Sequence, residues 1–255
     1  MAALLGEPSV PESPTQDSPG PDLMPLQVLQ LLQLCDSALP VGGSAHSFGL
    51  ETLVAEELLT VETLEEFLHA YLTEAGLLEG VFFGRGHRLA QVTEPGEFLT
   101  RWRALNAELS ALKLARESRQ ASTMMGRRLL HLVQGWFSEE RLALAQQVAL
   151  REDGTSHYAL AAGLLCGLLG INERVALAAF LQQQSAALLA ACQRLLPLGQ
   201  RRAMLLLWQL KPTLLAVTGQ ALGYLERGEE PWQWTPLVEL GSLRHPHLET
   251  RLFIS

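Results

Sequence analysis

The chain has 255 residues, 48% of them apolar and 6% aromatic, with a formal net charge of −8. That is ample material for one large core or two small ones, and too acidic for a nucleic-acid surface, which wants a basic stripe with aromatics between its charges. The first 84 residues contain 13 acidic and no basic residues, whereas the remaining 171 contain 19 basic and 14 acidic ones. An acidic third facing a basic partner and an ordinary solvated acidic surface both fit that asymmetry.

Residues 1–25 hold six of the 13 prolines together with Gly, Ser, Asp and Glu. Such a composition cannot bury a core, so a disordered tail is expected there. The N-terminus has no basic n-region and no usable apolar h-region, so no secretory signal is expected. From Leu26 the sequence reads as helix almost throughout, rich in Leu and Ala with no alternating strand segments and no clear repeat. The expectation is a single all-α domain over 26–255, a bundle of nine or ten helices with a docking tail from about residue 241.

A first helix over Leu26–Cys35 stops ahead of Pro40, which cannot occupy a helix interior. Then come Gly42-Gly43-Ser44-Ala45-His46-Ser47 and Phe48-Gly49-Leu50-Glu51, where periodicity resumes. Paired glycines mark positions needing positive φ or a close backbone approach, and polar loops on helical scaffolds often carry function. Thr63-Leu64-Glu65-Glu66 has capping-box spacing, although Thr60 could cap a turn earlier. Helices are expected over Leu77–Gln91, over Gly96–Asn106 behind Glu94-Pro95, and over Glu108 to about Gln134. Others are expected from Ser138 to about Asp153-Gly154, and over Ser156–Gly170, Asn172–Leu195, Leu198–Leu210 and Thr213–Arg227. The run Tyr158–Ile171 is apolar but only 14 residues long, too short to span a bilayer; with Gly163, Gly167 and Gly170 it suits a buried, closely packed helix. No membrane span is expected. Beyond Pro231 the chain turns rich in Trp, Pro and His and ends in Arg251-Leu252-Phe253-Ile254-Ser255, a tail that docks on its own bundle or on a partner. Cys35, Cys166 and Cys192, widely spaced and without a CxxC, suit buried thiols of a reducing cytosol.

The glycine loop lacks the Lys of a phosphate-binding P-loop and the Gly-x-Ser-x-Gly spacing of a nucleophile elbow. Ser44 or Ser47 with His46 could still form a dyad, so a small-molecule enzyme stays open beside a structural or docking loop. No two of the seven histidines stand at i,i+4, and only His245-Pro246-His247 is a close pair, so no stable metal site is expected. Glu117, Arg119, Ser122 and Gly126 fall on one long helix and read locally as a solvated face with weak ion pairing.

Five blocks, in order, resemble the urease accessory protein UreF family. They are the Leu39-to-Glu51 loop; Glu117 to Ser122 with Gly126-Arg127-Arg128; His157 to Gly163; Leu196-Pro197-Leu198-Gly199-Gln200; and His245 with Thr250-Arg251-Leu252-Phe253-x-Ser255. Ser44, Pro246, Glu249 and Ile254 depart from the family's usual residues. The resemblance implies an all-helical, cytoplasmic homodimer with no catalytic activity, cofactor or metal site of its own. It implies a scaffold that bridges the accessory protein UreD (UreH) and the GTPase UreG, and so helps load nickel into apo-urease. It further implies partner-binding roles for Gly42, Gly43, His46, Ser47, Gly49, Glu51, Glu117, Arg119, Ser122, His245, Arg251, Leu252 and Phe253. A generic helical adaptor is the third reading.

Overall fold

The computed structural model describes residues 24–151, 154–231 and 236–254. Among the described residues the secondary structure is helical, with no strand. The expected disordered tail lies outside them apart from Met24 and Pro25, as do the expected helix end at Asp153, residues 232–235 and Ser255. Pro25 opens α1 (Pro25–Leu34), where a missing N–H costs nothing. The glycine loop, with a 3-10 turn at Gly43–Ala45, leads to α2 (Leu50–Ala55). Next come α3 (Leu64–Tyr71) and α4 (Leu77–Leu89), joined through a π-helical turn at Leu72–Gly76 into one rod. Then follow α5 (Pro95–Leu112), α6 (Arg116–Val133), α7 (Glu140–Ala149), α8 (Tyr158–Leu168), α9 (Glu173–Leu195), α10 (Gln200–Gln209), α11 (Lys211–Arg227) and α12 (Pro236–Arg244). With α3 and α4 counted as one rod, the described residues form eleven rods, close to the nine or ten expected.

Two local expectations fail for identifiable reasons. No capping box forms at α3: the Thr60 N–H donates to Thr63 Oγ1 at 3.1 Å and the Thr63 N–H to Thr60 Oγ1 at 3.4 Å, so the two threonines satisfy each other. The break expected near residue 107 lies instead at Lys113–Ala115, where no Gly or Pro marks it. Tertiary partners take over the backbone groups the helix gives up. Glu239 Oε2 accepts from the Ala115 N–H at 2.8 Å, and the Arg119 guanidinium donates to the carbonyls of Lys113 and Leu114. The Lys113 ammonium is pinned by Glu79 on α4.

The core is organised around α8, whose sequence is apolar on every side and almost wholly buried, as a helix enclosed by other helices must be. Its neighbours come closer than side chains allow. A Cβ on Gly163 would lie 1.9 Å from Phe83 O of α4, and one on Gly86 would lie 2.4 Å from Leu160 O of α8. On the other flank, a Cβ on Gly126 of α6 would lie 1.9 Å from Ser156 O. Phe83 and Tyr158 then pack on Phe180 of α9, with ring centroids 4.8 and 5.8 Å apart. Cys166 and Cys192 are buried free thiols and Cys35 is half-buried; burial pushes the Cys35 thiol up to about 11.

Among the described residues one helix, α9, is long and apolar enough to be tested against a membrane. By length and composition α9 could cross a bilayer, but half of the qualifying stretch is buried inside the bundle, as in the core helix of a globular fold.

Gly163→Ala must push α8 away from α4, and overpacking of this kind costs about 2–3 kcal/mol. The melting temperature should fall by about 5–10 °C. Gly219→Ala on α11, where a Cβ would meet nothing within 4 Å, should be neutral or stabilising by up to about 1 kcal/mol. Thermal melts followed by circular dichroism separate the two.

Candidate functional site: a clamp on the C-terminal tail

The glycine loop is shaped by a chain of local constraints. Asp36 Oδ1 accepts from the Ala38 N–H at 2.8 Å, turning the chain after α1. Gly42 then takes φ +83°, Phe48 +51° and Gly49 +87°, left-handed values that a side chain resists. Gly49 needs its hydrogen for a second reason, because a Cβ there would lie 2.6 Å from Val238 O and 2.8 Å from the Ser242 nitrogen. Reciprocally, a Cβ on Gly241 would lie 2.7 Å from Gly49 O. Helix α12 therefore crosses the start of α2 glycine on glycine, with Ser242 Oγ 3.2 Å from Ser118 Oγ on α6.

This crossing delivers the tail to Glu51, in the first turn of α2 and only 7% exposed. Its carboxylate accepts from the N–H groups of Leu252 (2.5 Å) and Phe253 (3.1 Å), and from His245 Nε2 (2.9 Å). His245, fully buried, makes a second bond through Nδ1 to Glu117 Oε2 at 2.8 Å. Each ring nitrogen thus faces one carboxylate. Burial alone would raise the Glu51 carboxyl; the backbone N–H groups and His245 outweigh it and hold it below the usual range. Arg251 stands 3.9 Å from Glu117 Oε1. The Ile254 N–H donates to Ala45 O at 2.9 Å, returning the tail to the glycine loop. The Phe253 ring is buried beneath the Arg194 guanidinium, 4.1 Å from its carbon.

Most of the residues singled out in the sequence thus belong to one construction. Glu51, Glu117, His245, Arg251, Leu252 and Phe253 form the clamp, while Gly42, Gly43, His46, Ser47 and Gly49 shape the loop beneath it. One expectation is corrected. The face of α6 bearing Ser122 and Gly126 is not solvated: both are buried, and the Glu117 side chain is 17% exposed against His245. The tail packs on its own bundle through Phe253 and His245. Along α12 and the tail, Leu252 (54% exposed) and Leu243 (52%) face outward and Phe253 inward. Ser47 Oγ is buried without a hydrogen-bond partner and so forms no pair with His46. Arg119 and Ser122 serve neighbouring structures, the α5–α6 break and a buried histidine.

That histidine, His157, precedes α8 and is fully buried. Its ring meets Ser110 Oγ at 2.8 Å and Ser122 Oγ at 3.0 Å, and its backbone N–H donates to Asn106 Oδ1 at 2.7 Å. Burial first, then the charges of Lys113 and Arg119, bring its pKa down to about 3. Sequence reasoning missed Asn106, Ser110, Glu239, Gly241 and Arg194, whose partners in these contacts lie 47 or more residues away along the chain. Among the described residues, no group of three or more His, Cys, Asp or Glu side chains is placed to hold a metal ion.

Fold and clamp define an all-helical protein whose chain end is fixed by a buried carboxylate–histidine–carboxylate chain. The sequence model of the UreF family matches residues 58–211. A urease accessory protein UreF of Nostoc sp. is 35% identical over 229 residues, covering 89% of this chain and 95% of that protein. The protein of the same name from Lachnoclostridium phytofermentans is 32% identical over 240 residues, covering 89% and 98%. That from Haemophilus influenzae is 28% identical over 231 residues, covering 88% and 94%. The chain belongs to the UreF family.

Glu51→Gln should free the tail, since it removes the charge that three donors share, at about 1.5–3 kcal/mol per bond to a charged group. Hydrogen exchange at residues 248–254 should rise sharply while that of α8 stays slow.

Acid should weaken the fold through two groups of like sign. The depressed Glu51 carboxyl stabilises above the ordinary carboxylate range, and that stability is lost as pH falls through its lowered value. His157 stays neutral in the fold down to about 3, so below the unfolded value of 6.5 only the unfolded chain takes up its proton. Its contribution therefore shrinks as pH falls from 6.5 towards 3, by about 1.4 kcal/mol per pH unit. Melts between pH 7 and 4 should show the decline, with a shallower slope above pH 5 in His157→Gln.

Proposed function

We propose that this chain is a non-catalytic scaffold of urease maturation. In this reading it acts in the cytoplasm as a homodimer, bridging UreD (UreH) and the GTPase UreG while nickel is delivered to apo-urease. Membership of a family whose relatives are named urease accessory proteins supports the maturation role. The observation that carries the scaffold reading is the way the clamp sorts the tail. Glu51 and Arg194 hold Phe253 inward while Leu252 and Ile254 (64% exposed) stand outward. Exposed Leu237, Leu240 and Leu243 on α12 add to that apolar surface.

A tail fixed in advance loses less conformational entropy on binding than a floppy one. Its outward leucines then offer about 1.5–3 kcal/mol each when fully buried by a partner. We assign this face to UreD. Two other helical faces remain apolar and open: Leu26, Leu29 and Leu32 on α1, and Met204, Leu205 and Trp208 on α10 with Leu215 on α11. Several uncovered apolar faces suit a protein that holds several partners at once.

Co-purification with UreD and UreG, with nickel-dependent urease activation as the second readout, tests the reading. Leu252→Asp should fold normally, because the side chain is exposed, yet weaken UreD binding at least about tenfold and depress activation. Truncation after Leu243 should preserve helical content and dimerisation but abolish both. Unchanged UreD affinity in the two variants would remove the tail from the docking role, and failure to capture either partner would sink the scaffold reading itself.

A further inference from the structure

The glycine loop has a second side, which shares Arg194 with the clamp. An open cavity of about 410 Å³ lies between residues 35–44 and the alanine-rich face of α9, with Ala187, Ala190 and Ala191 in its lining. Two guanidinium groups reach it from different helices, Arg128 from α6 and Arg194 from α9. Arg128 lies so close to Gly42 that a Cβ there would stand 1.9 Å from its Nη1. The left-handed glycine thus gives the guanidinium its seat as well as turning the chain. Arg128 otherwise meets Val41 O at 3.5 Å, and Arg194 donates once to Ser44 O at 2.8 Å.

Neither arginine forms an ion pair with a carboxylate among the described residues, whereas Arg85, Arg88 and Arg244 do. Each guanidinium carries five donors, so most of the donors at this cavity remain unused. The one carboxylate in the lining, Asp36, has Oδ1 engaged by the Ala38 N–H. The positive field extends into the cavity. His46 on the same lining is held below its ordinary value, first by burial and then by the charge of Arg128.

We propose that this cavity binds a small oxyanion, a carboxylate or a phosphate, gripped between Arg128 and Arg194 above the alanine floor. A guanidinium fork matches either anion through paired N–H donors, and the alanines leave the volume that larger side chains would fill. The proposal does not rest on the role in urease maturation.

Isothermal titration of the full chain with inorganic phosphate, and separately with succinate, at ionic strength matched by sodium chloride, tests it. Saturable binding of at least one anion is expected, and the one that binds identifies the oxyanion. Arg128→Gln and Arg194→Gln should each weaken it at least about tenfold, as loss of a charge-assisted hydrogen bond does. Arg128→Lys should fall between, because an ammonium keeps the charge without the fork. Arg201→Gln, exposed on α10 outside the cavity, should bind as the parent. A readout without any variant is the His46 ring titration by NMR: an anion beside Arg128 offsets its charge, so the midpoint should move upward at saturation. No binding of either anion, equal binding by the glutamine variants, or an unmoved His46 midpoint would each overturn the proposal.

Discussion

Helix α8 can be enclosed only if the backbones around it come within van der Waals contact of its own, and that requirement governs the molecule. Gly163 and Gly86 let α4 and α8 touch main chain to main chain, and Gly126 does the same for α6 against the segment entering α8. Once these three are locked together, the sites on their outer faces have fixed separations. Ser110, Ser122 and Asn106 can close on His157 only because α5, α6 and the start of α8 are held at hydrogen-bonding distance. The same rigidity sets Glu117 where a histidine from the far end of the chain can reach it.

The clamp repeats the device at the surface. Gly49 and Gly241 let α12 cross α2 at contact, which brings the tail to a carboxylate already placed in the first turn of α2. Acceptors near a helix start also gain from the helix dipole. Burying a carboxylate is costly unless donors compensate it, and Glu51 is met by two backbone N–H groups and one imidazole. The tail is thereby ordered without a large core of its own. A modest number of polar contacts decides which apolar residues face inward and which face outward.

The loop between α1 and α2 accordingly serves two faces. Its glycines permit both the α12 crossing and the seating of Arg128, so one short segment sets the geometry of the clamp and of the arginine-lined cavity. Ser47 and His46 are buried here, with no hydrogen bond between them, whereas Ser44 is exposed. Substitution at Gly42 or Gly49 would accordingly be felt at two places, by strain at positive φ and by collision with the neighbouring element.

Helical class and, to within a residue or so, the starts of α1, α5 and α9 were legible in the sequence, because propensity, capping and periodicity act within a few residues. So was the buried character of α8, since an apolar run without a polar face has no other place. The blocks around Glu51, Glu117 and His245 were visible as motifs, yet their meeting was not. The break at Lys113–Ala115 has no local signal, because Glu239, Arg119 and Glu79 stabilise it from elsewhere. The face of α6 read as solvated for the same reason: Ser122 and Glu117 are polar residues whose partners, His157 and His245, lie 35 and 128 residues away. Local sequence determined which segments coil and where they can start. Tertiary structure alone decided which polar groups are buried, because each required a specific partner that only the packed backbone brings within reach.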